Sequence, residues 1–287
     1  MRILTPSAER VLSNPLAFTW RVLRGFAGNQ GLLLAGAIAY YALLSLVPLL
    51  ILSVLMLSHL MDEAVLIATL SHYLEWLVPS QSAALLGDLA GFLEKRAAIG
   101  ALLFVSMLFF SSLAFSVVEK SMAVIFAHRG VERRRHFLVS FVLPYSFVLL
   151  LVVLLLLVSA LVIALQALAG QSVWLFGQWW SLSAVSGLSL YGLGLVVETL
   201  IFAALYMIMP YGRTRISHAL IGGLTAALLW EATRHVLIWY FATLSSASIL
   251  YGSLTTSVVV LLSMEVAATL LLLGAQVIAE YERIGLE

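Results

Sequence analysis

Long apolar runs constrain this chain more than any other feature. Crossing about 30 Å of hydrocarbon as a helix takes about 20 residues. Six stretches qualify, at roughly 31–58, 97–118, 137–166, 184–209, 218–242 and 252–279. The runs are continuous rather than alternating, which points to helices and away from a β-barrel. Composition agrees: 63% of residues are hydrophobic and 10% charged, against about 45–50% and about 25% in soluble domains. The expected fold is all-α, a six-span membrane domain over 31–279 with a segment 1–30 before it and a tail 280–287 after it. The first run is too long for a signal-peptide core and lacks a clear small-residue cleavage site, so it is expected to stay as a helix. The chain has no cysteine, which excludes disulfides and thiolate metal sites.

Basic residues set the expected orientation. Arg2, Arg10, Arg21 and Arg24 precede the first run, Arg129, Arg133, Arg134 and Arg135 follow the second, Arg213 and Arg215 follow the fourth, and Arg283 follows the sixth. The opposite side carries only Lys95 and Arg96, beside Asp62, Glu63, Glu75, Asp88 and Glu94. Both termini are therefore expected in the cytoplasm. The arginines at 129–135, 213 and 215 either anchor the inner loops or contact anionic headgroups, each worth about 1 kcal/mol near the surface.

Three stretches are too short or too polar to span. Residues 7–27 place Leu12, Leu16, Leu23 and Ala27 on one face and arginines elsewhere, as in an amphipathic helix at the inner interface. Residues 62–95 are expected as one or two helices on the outer face, split at Pro79-Ser80. SVWLFGQWWS, with Trp174, Trp179 and Trp180, suits an interfacial anchor or a lid.

Ionisable groups inside a span are expensive and so mark candidate sites. LLWEATRHVL brings Glu231, Arg234 and His235 onto one helical face by their three- and four-residue spacing. Glu231 falls near the middle of the fifth run and Arg234 about a turn further on. Glu198 and Glu265 fall near the middle of the fourth and sixth runs. Three acids face one guanidinium, so two buried anions would lack compensation. Glu231 has Arg234 in reach, which makes Glu198 and Glu265 the candidates to carry a proton. One reading is interhelical glue. The other is a proton or substrate path. Pro48 interrupts YYALLSLVPLL and frees the carbonyl of Leu44. Tyr40, Tyr41 and Ser45 precede it, and such a break is either a simple kink or part of a transport site.

Enzyme signatures are missing: the sequence has no Walker loop, HExxH, GxSxG or dinucleotide fingerprint. The histidines show no zinc-ligand spacing, and no soluble stretch is long enough for a catalytic domain. No metal, cofactor or enzymatic role is expected. The inner loops are too short for a nucleic-acid surface.

Three stretches carry a family resemblance: AGAIAYYALLSLVPLL at 35–50; Pro210 and Arg213 followed by GGLTAALLWEATRHVLIWYF at 222–241; and YGSLTTSVVVLL at 251–262 with LLLGAQVIAEYE at 271–282. In order and spacing the chain resembles the YihY/BrkB family. That resemblance implies a six-helix bacterial inner-membrane protein with an envelope-related role. The family usually has Trp and Tyr where this chain has SMEV at 263–266, and an acid where it has Gln276. The expected function is a transporter or flippase-like protein for an envelope lipid or other anionic amphiphile, with proton coupling. The alternative is a non-transporting scaffold. Membrane lipids are the expected partners, a homo-oligomer is compatible, and no nucleic acid is expected.

Overall fold

A computed structural model describes residues 6–57, 96–130, 172–175, 178–181, 183–210, 214–244 and 253–286, with residues 71, 87, 91 and 212 and scattered positions from 146 to 163. Helices α1 (Pro6–Ser13) and α2 (Pro15–Gly28) open the chain. Helices α3 (Gly31–Leu57) and α4 (Arg96–Ile125) follow, and α4 ends in a short 3₁₀ turn at Ala127–Arg129. The last three helices are α5 (Ser183–Ile208), α6 (Ile216–Leu244) and α7 (Ser253–Leu286).

Among the described residues, four helices contain stretches long and apolar enough to cross a membrane: Gly31–Val54, Gly100–Ile125, Tyr191–Ile208 and Val259–Gly285. Helix α6, at 29 residues, is as long as these but carries Glu231, Arg234 and two histidines. The described residues of the expected span 137–166, such as 149–150 and 156–160, are helical. The insertion 62–95 lies outside the described residues except for Ser71, Gly87 and Gly91, and Arg133, Arg134, Arg135 and Arg213 lie outside them too.

Three features differ from expectation. The amphipathic stretch is two helices, not one, because Pro15 starts a fresh helix at its first turn, where its missing N–H costs nothing. The final helix runs on to Leu286 rather than stopping near 279, because Gln276, Glu280, Glu282 and Arg283 all find polar partners there. Among the described residues the architecture is all-helical but for one short element at 172–181. Strands β1 (Ser172–Leu175) and β2 (Gln178–Ser181) form an antiparallel hairpin that pairs Val173 with Trp180 and Trp174 with Trp179. Valine and tryptophan suit an extended ladder better than a helix, so the tryptophan-rich loop is a hairpin.

The chain divides into two compact units. The first comprises Met1–Ala35, Val118–Ala242 and Ala267–Glu287, and the second comprises Gly36–Val117 and Thr243–Val266. The first unit is held at glycines. A methyl group on Gly223 would lie 2.6 Å from the carbonyl oxygen of Thr199 and 3.0 Å from the nitrogen of Ala203, so α6 rides directly on the backbone of α5. Its neighbour Gly222 faces the other way, where a methyl would meet Ile278 at 2.5 Å and the Gly274 carbonyl at 2.9 Å on α7. Small residues permit this approach, and dispersion between the close backbones holds it. Tyr206 of α5, fully buried, donates its hydroxyl to the Leu271 carbonyl at 2.7 Å. A methyl on Gly274 would collide with that hydroxyl.

Candidate functional site

Two polar constellations stand in the first unit. The one read from the sequence lies on α5 and α6. Glu231 is buried, and Arg234, one turn on, donates from Nη2 to its Oε1 at 2.9 Å. The same nitrogen lies 2.7 Å from Oε2, at an angle that makes an ion pair but not a second hydrogen bond. His235 places Nδ1 2.8 Å from the Glu231 carbonyl oxygen, which accepts its proton. That contact requires a proton on Nδ1 and leaves Nε2 facing outward. The side chains of Arg234 and His235 are 45% and 71% exposed. The pair thus has a buried anionic end and an open cationic end.

Glu198 approaches this pair from α5. Gly223 packs level with Thr199 and Ala203. At about 1.5 Å per residue along two antiparallel helices, Glu198 and Glu231 differ in height by about 7 Å. Glu231 and Arg234 are the charges that act on Glu198. Its Oε2 is buried without a hydrogen-bond partner among the described residues. An unpaired buried carboxylate oxygen is costly, so this is the strained acid of the group. Tyr191, two turns earlier on α5, is exposed. The packed face of α5 carries Ala203 and Tyr206.

The remaining candidates belong to the second unit or to the surface. Glu265 lies in the second unit, where a methyl on Gly36 would stand 3.8 Å from its Oε1. Tyr40 and Tyr41 meet edge to face at 5.2 Å. Ser45 donates to the Ala42 carbonyl at 2.8 Å. Pro48 is buried within a helix that continues through it. Arg215 is exposed.

The second constellation lies where α4, α6 and α7 end or begin. Glu282 accepts from Arg129 through both oxygens, Nε to Oε2 at 2.9 Å and Nη2 to Oε1 at 2.8 Å. His128 Nε2 stands 3.2 Å from Oε2 and His218 Nδ1 3.3 Å from Oε1. Arg129 also donates to Thr214 Oγ1 at 3.2 Å and lies 4.0 Å above the Phe126 ring. Beside this node, Asn29 Nδ2 donates to Gln276 Oε1 at 2.9 Å, and Gln276 Nε2 donates to Glu280 Oε1 at 3.0 Å. Arg129, a headgroup candidate by sequence, is thus turned inward onto a carboxylate. Sequence reasoning missed Glu282, His128, His218 and Asn29. The one available signal was a second acid in AEYER at 279–283, which the expected orientation puts on the same side of the membrane as HRGVERRRH at 128–136.

The chain matches the family model described as virulence factor BrkB over residues 22–286. It is 29% identical over 246 residues to a UPF0761 membrane protein of Alkalilimnicola ehrlichii, covering 84% of this chain and 53% of that one. It is 33% identical over 85 residues to one of Pasteurella multocida, covering 29% and 27%. A Kangiella koreensis relative is 32% identical over 105 residues, covering 37% and 26%. The matched stretches therefore span about half or less of these relatives' lengths. No solved structure matches the chain.

Proposed function

The chain belongs to the virulence factor BrkB family of membrane proteins, and on that footing we propose that it moves an anionic amphiphile, such as a lipid or lipid precursor of the bacterial envelope, across the cytoplasmic membrane. The observation that carries this reading is Arg234: a guanidinium 45% exposed in a helix of apolar neighbours, held at one end by buried Glu231. A charge facing acyl chains costs several kcal/mol, so the open end of Arg234 belongs against water or an anionic headgroup. Arginine suits phosphate or carboxylate because its donors form a planar fork.

Glu198 supplies the coupling. With Glu198 protonated, the charges of Glu198, Glu231 and Arg234 sum to zero, and the open donors of Arg234 accept an anion. With Glu198 ionised, the group carries one net negative charge and repels it. Anion and proton therefore load together. Glu265, in the second unit, is the other acid that the sequence sets within a span. Both termini are assigned to the cytoplasmic side by the distribution of arginines.

The test is reconstitution in vesicles with a fluorescent anionic phospholipid, with and without a pH gradient, for the parent chain and for Arg234→Ala, Glu198→Gln and Glu265→Gln. Arg234→Ala is expected to slow movement at least tenfold. Glu198→Gln is expected to keep basal movement and lose its dependence on the gradient. Equal rates for every variant, with only melting temperatures changed, would mean that the cluster is helix glue and the protein a scaffold.

A further inference from the structure

Helix α2 has three sectors, and its buried residues lie in one of them. Val22 and Phe26 are buried. Gly25 lies so close to Gln276 and Glu280 of α7 that a methyl there would collide with both side chains. At about 100° per residue, Leu16, Trp20, Leu23 and Ala27 fall together in a second sector about 60° wide. All four are exposed, Leu16 by 86% and Trp20 by 67%. Arg24 and then Arg21 follow in the third sector, also exposed.

The turn that follows fixes where this face stands. Gln30 adopts a left-handed φ of 54°, a conformation that costs a residue with a Cβ about 1 kcal/mol or more. It is held there because Asn29 is tied to Gln276 and Gly31 admits the Phe26 ring against its backbone. Gly31 is also the first residue of a membrane-crossing stretch. The exposed sector of α2 thus sits within a few residues of the bilayer boundary and cannot swing away from it freely. At the same end, Arg10 donates to the Ile284 carbonyl at 2.9 Å, so α1 is fastened to α7 as well.

We propose that the Leu16–Trp20–Leu23–Ala27 face of α2 is a docking surface for the anionic lipid leaflet at the arginine-bearing end of the protein, with Arg24 engaging lipid phosphates. The occupant follows from three observations. The sector is apolar and carries a tryptophan at its border, as interfacial helices do. Basic residues flank it on the side that would meet headgroups. The helix is tethered at a fixed turn to a membrane span. The opposite face grips α7 through Gln276, so the helix joins the leaflet to the last helix of the bundle.

The chain has no cysteine, so single spin labels report on this face without background. Labels are placed at Leu16→Cys, Trp20→Cys and Leu23→Cys, with Gly28→Cys as the aqueous control because a Cβ there meets nothing within 4 Å. The full chain is reconstituted in vesicles of phosphatidylcholine alone and of phosphatidylcholine with phosphatidylglycerol. Collision with oxygen should exceed collision with a nickel chelate at the first three positions, and the reverse should hold at Gly28. The difference should grow in the vesicles with phosphatidylglycerol, and Arg24→Gln in the labelled chains should remove that growth. Labels at Leu16, Trp20 and Leu23 that favour the nickel chelate in both vesicles would overturn the proposal. So would dipolar broadening between labels of two chains, which would make a second copy the occupant. An unchanged response in Arg24→Gln would overturn the role of Arg24.

Discussion

Arg129 and Glu282 meet fork to fork across 153 residues of chain, with both carboxylate oxygens accepting from one guanidinium at 2.8 and 2.9 Å. Their side chains are only 11% and 16% exposed, so solvent does little to screen the pair. Removing one partner of such a pair strands a charge and typically costs about 3 kcal/mol. Arg129→Ala and Glu282→Gln are each expected to lower the melting temperature in detergent by several degrees. The double variant should be less destabilised than the sum of the two. Strict additivity in that cycle would show that the two groups do not interact energetically.

Gly223 and Gly274 test the glycine-mediated packing. Gly223→Ala drives a methyl into backbone on α5, which cannot give way, and Gly274→Ala drives one onto the Tyr206 hydroxyl. Overpacking of this kind costs about 1–3 kcal/mol. Gly192→Ala and Gly194→Ala are the controls, since a Cβ at either meets nothing within 4 Å. Helix propensity alone would stabilise all four by up to about 1 kcal/mol. Melting curves should therefore move in opposite directions for the two pairs. Tyr206→Phe removes one hydrogen bond and should cost about 1 kcal/mol.

The sequence made the long helices legible because hydrocarbon thickness fixes a length and forbids exposed backbone. Ends within two residues were read for α3, α5 and α6. The pair Glu231–Arg234 was legible for a similar reason: three-residue spacing on a helix brings side chains together whatever the tertiary structure. Arg129 and Glu282 were not, because nothing local relates a loop arginine to an acid at the far end of the chain. Positive-inside reasoning even pointed Arg129 outward, toward headgroups. The hairpin at 172–181 was missed because its residues were read for interfacial preference and not for pairing. Gly222 and Gly223 figured only in the stretch 222–241 that carries the family resemblance; which neighbour each faces depends on helix crossings that no periodicity encodes.

Glu198 and Glu231 should respond oppositely to the same substitution. Glu231→Gln leaves Arg234 without its anion. Because Arg234 is 45% exposed, water offsets part of the loss, and about 1–2 kcal/mol is the expected cost. Glu198→Gln removes an acid whose buried oxygen has no partner among the described residues and which faces another acid. Its melting temperature should hold or rise. A larger loss for Glu198→Gln than for Glu231→Gln would mean that Glu198 is a structural anchor and not the surplus acid of the cluster.

Gln276 offers a pH-dependent test. Its amide is fully buried, accepting from Asn29 at one end and donating to Glu280 at the other. Gln276→Glu would set a second carboxyl about 3 Å from Glu280, where two like charges cannot both persist. The folded variant would then hold a proton that its unfolded chain releases. Stability changes with pH according to the protons bound unfolded minus those bound folded. That difference is negative here, so the variant should lose stability as pH rises from about 5 to about 8. The excess loss over the parent is expected to reach about 1.4 kcal/mol per pH unit, the limit for one proton. Parallel pH profiles of melting temperature for variant and parent would show that Arg283, which donates to the same Glu280 Oε1 at 2.9 Å, fully absorbs the added charge.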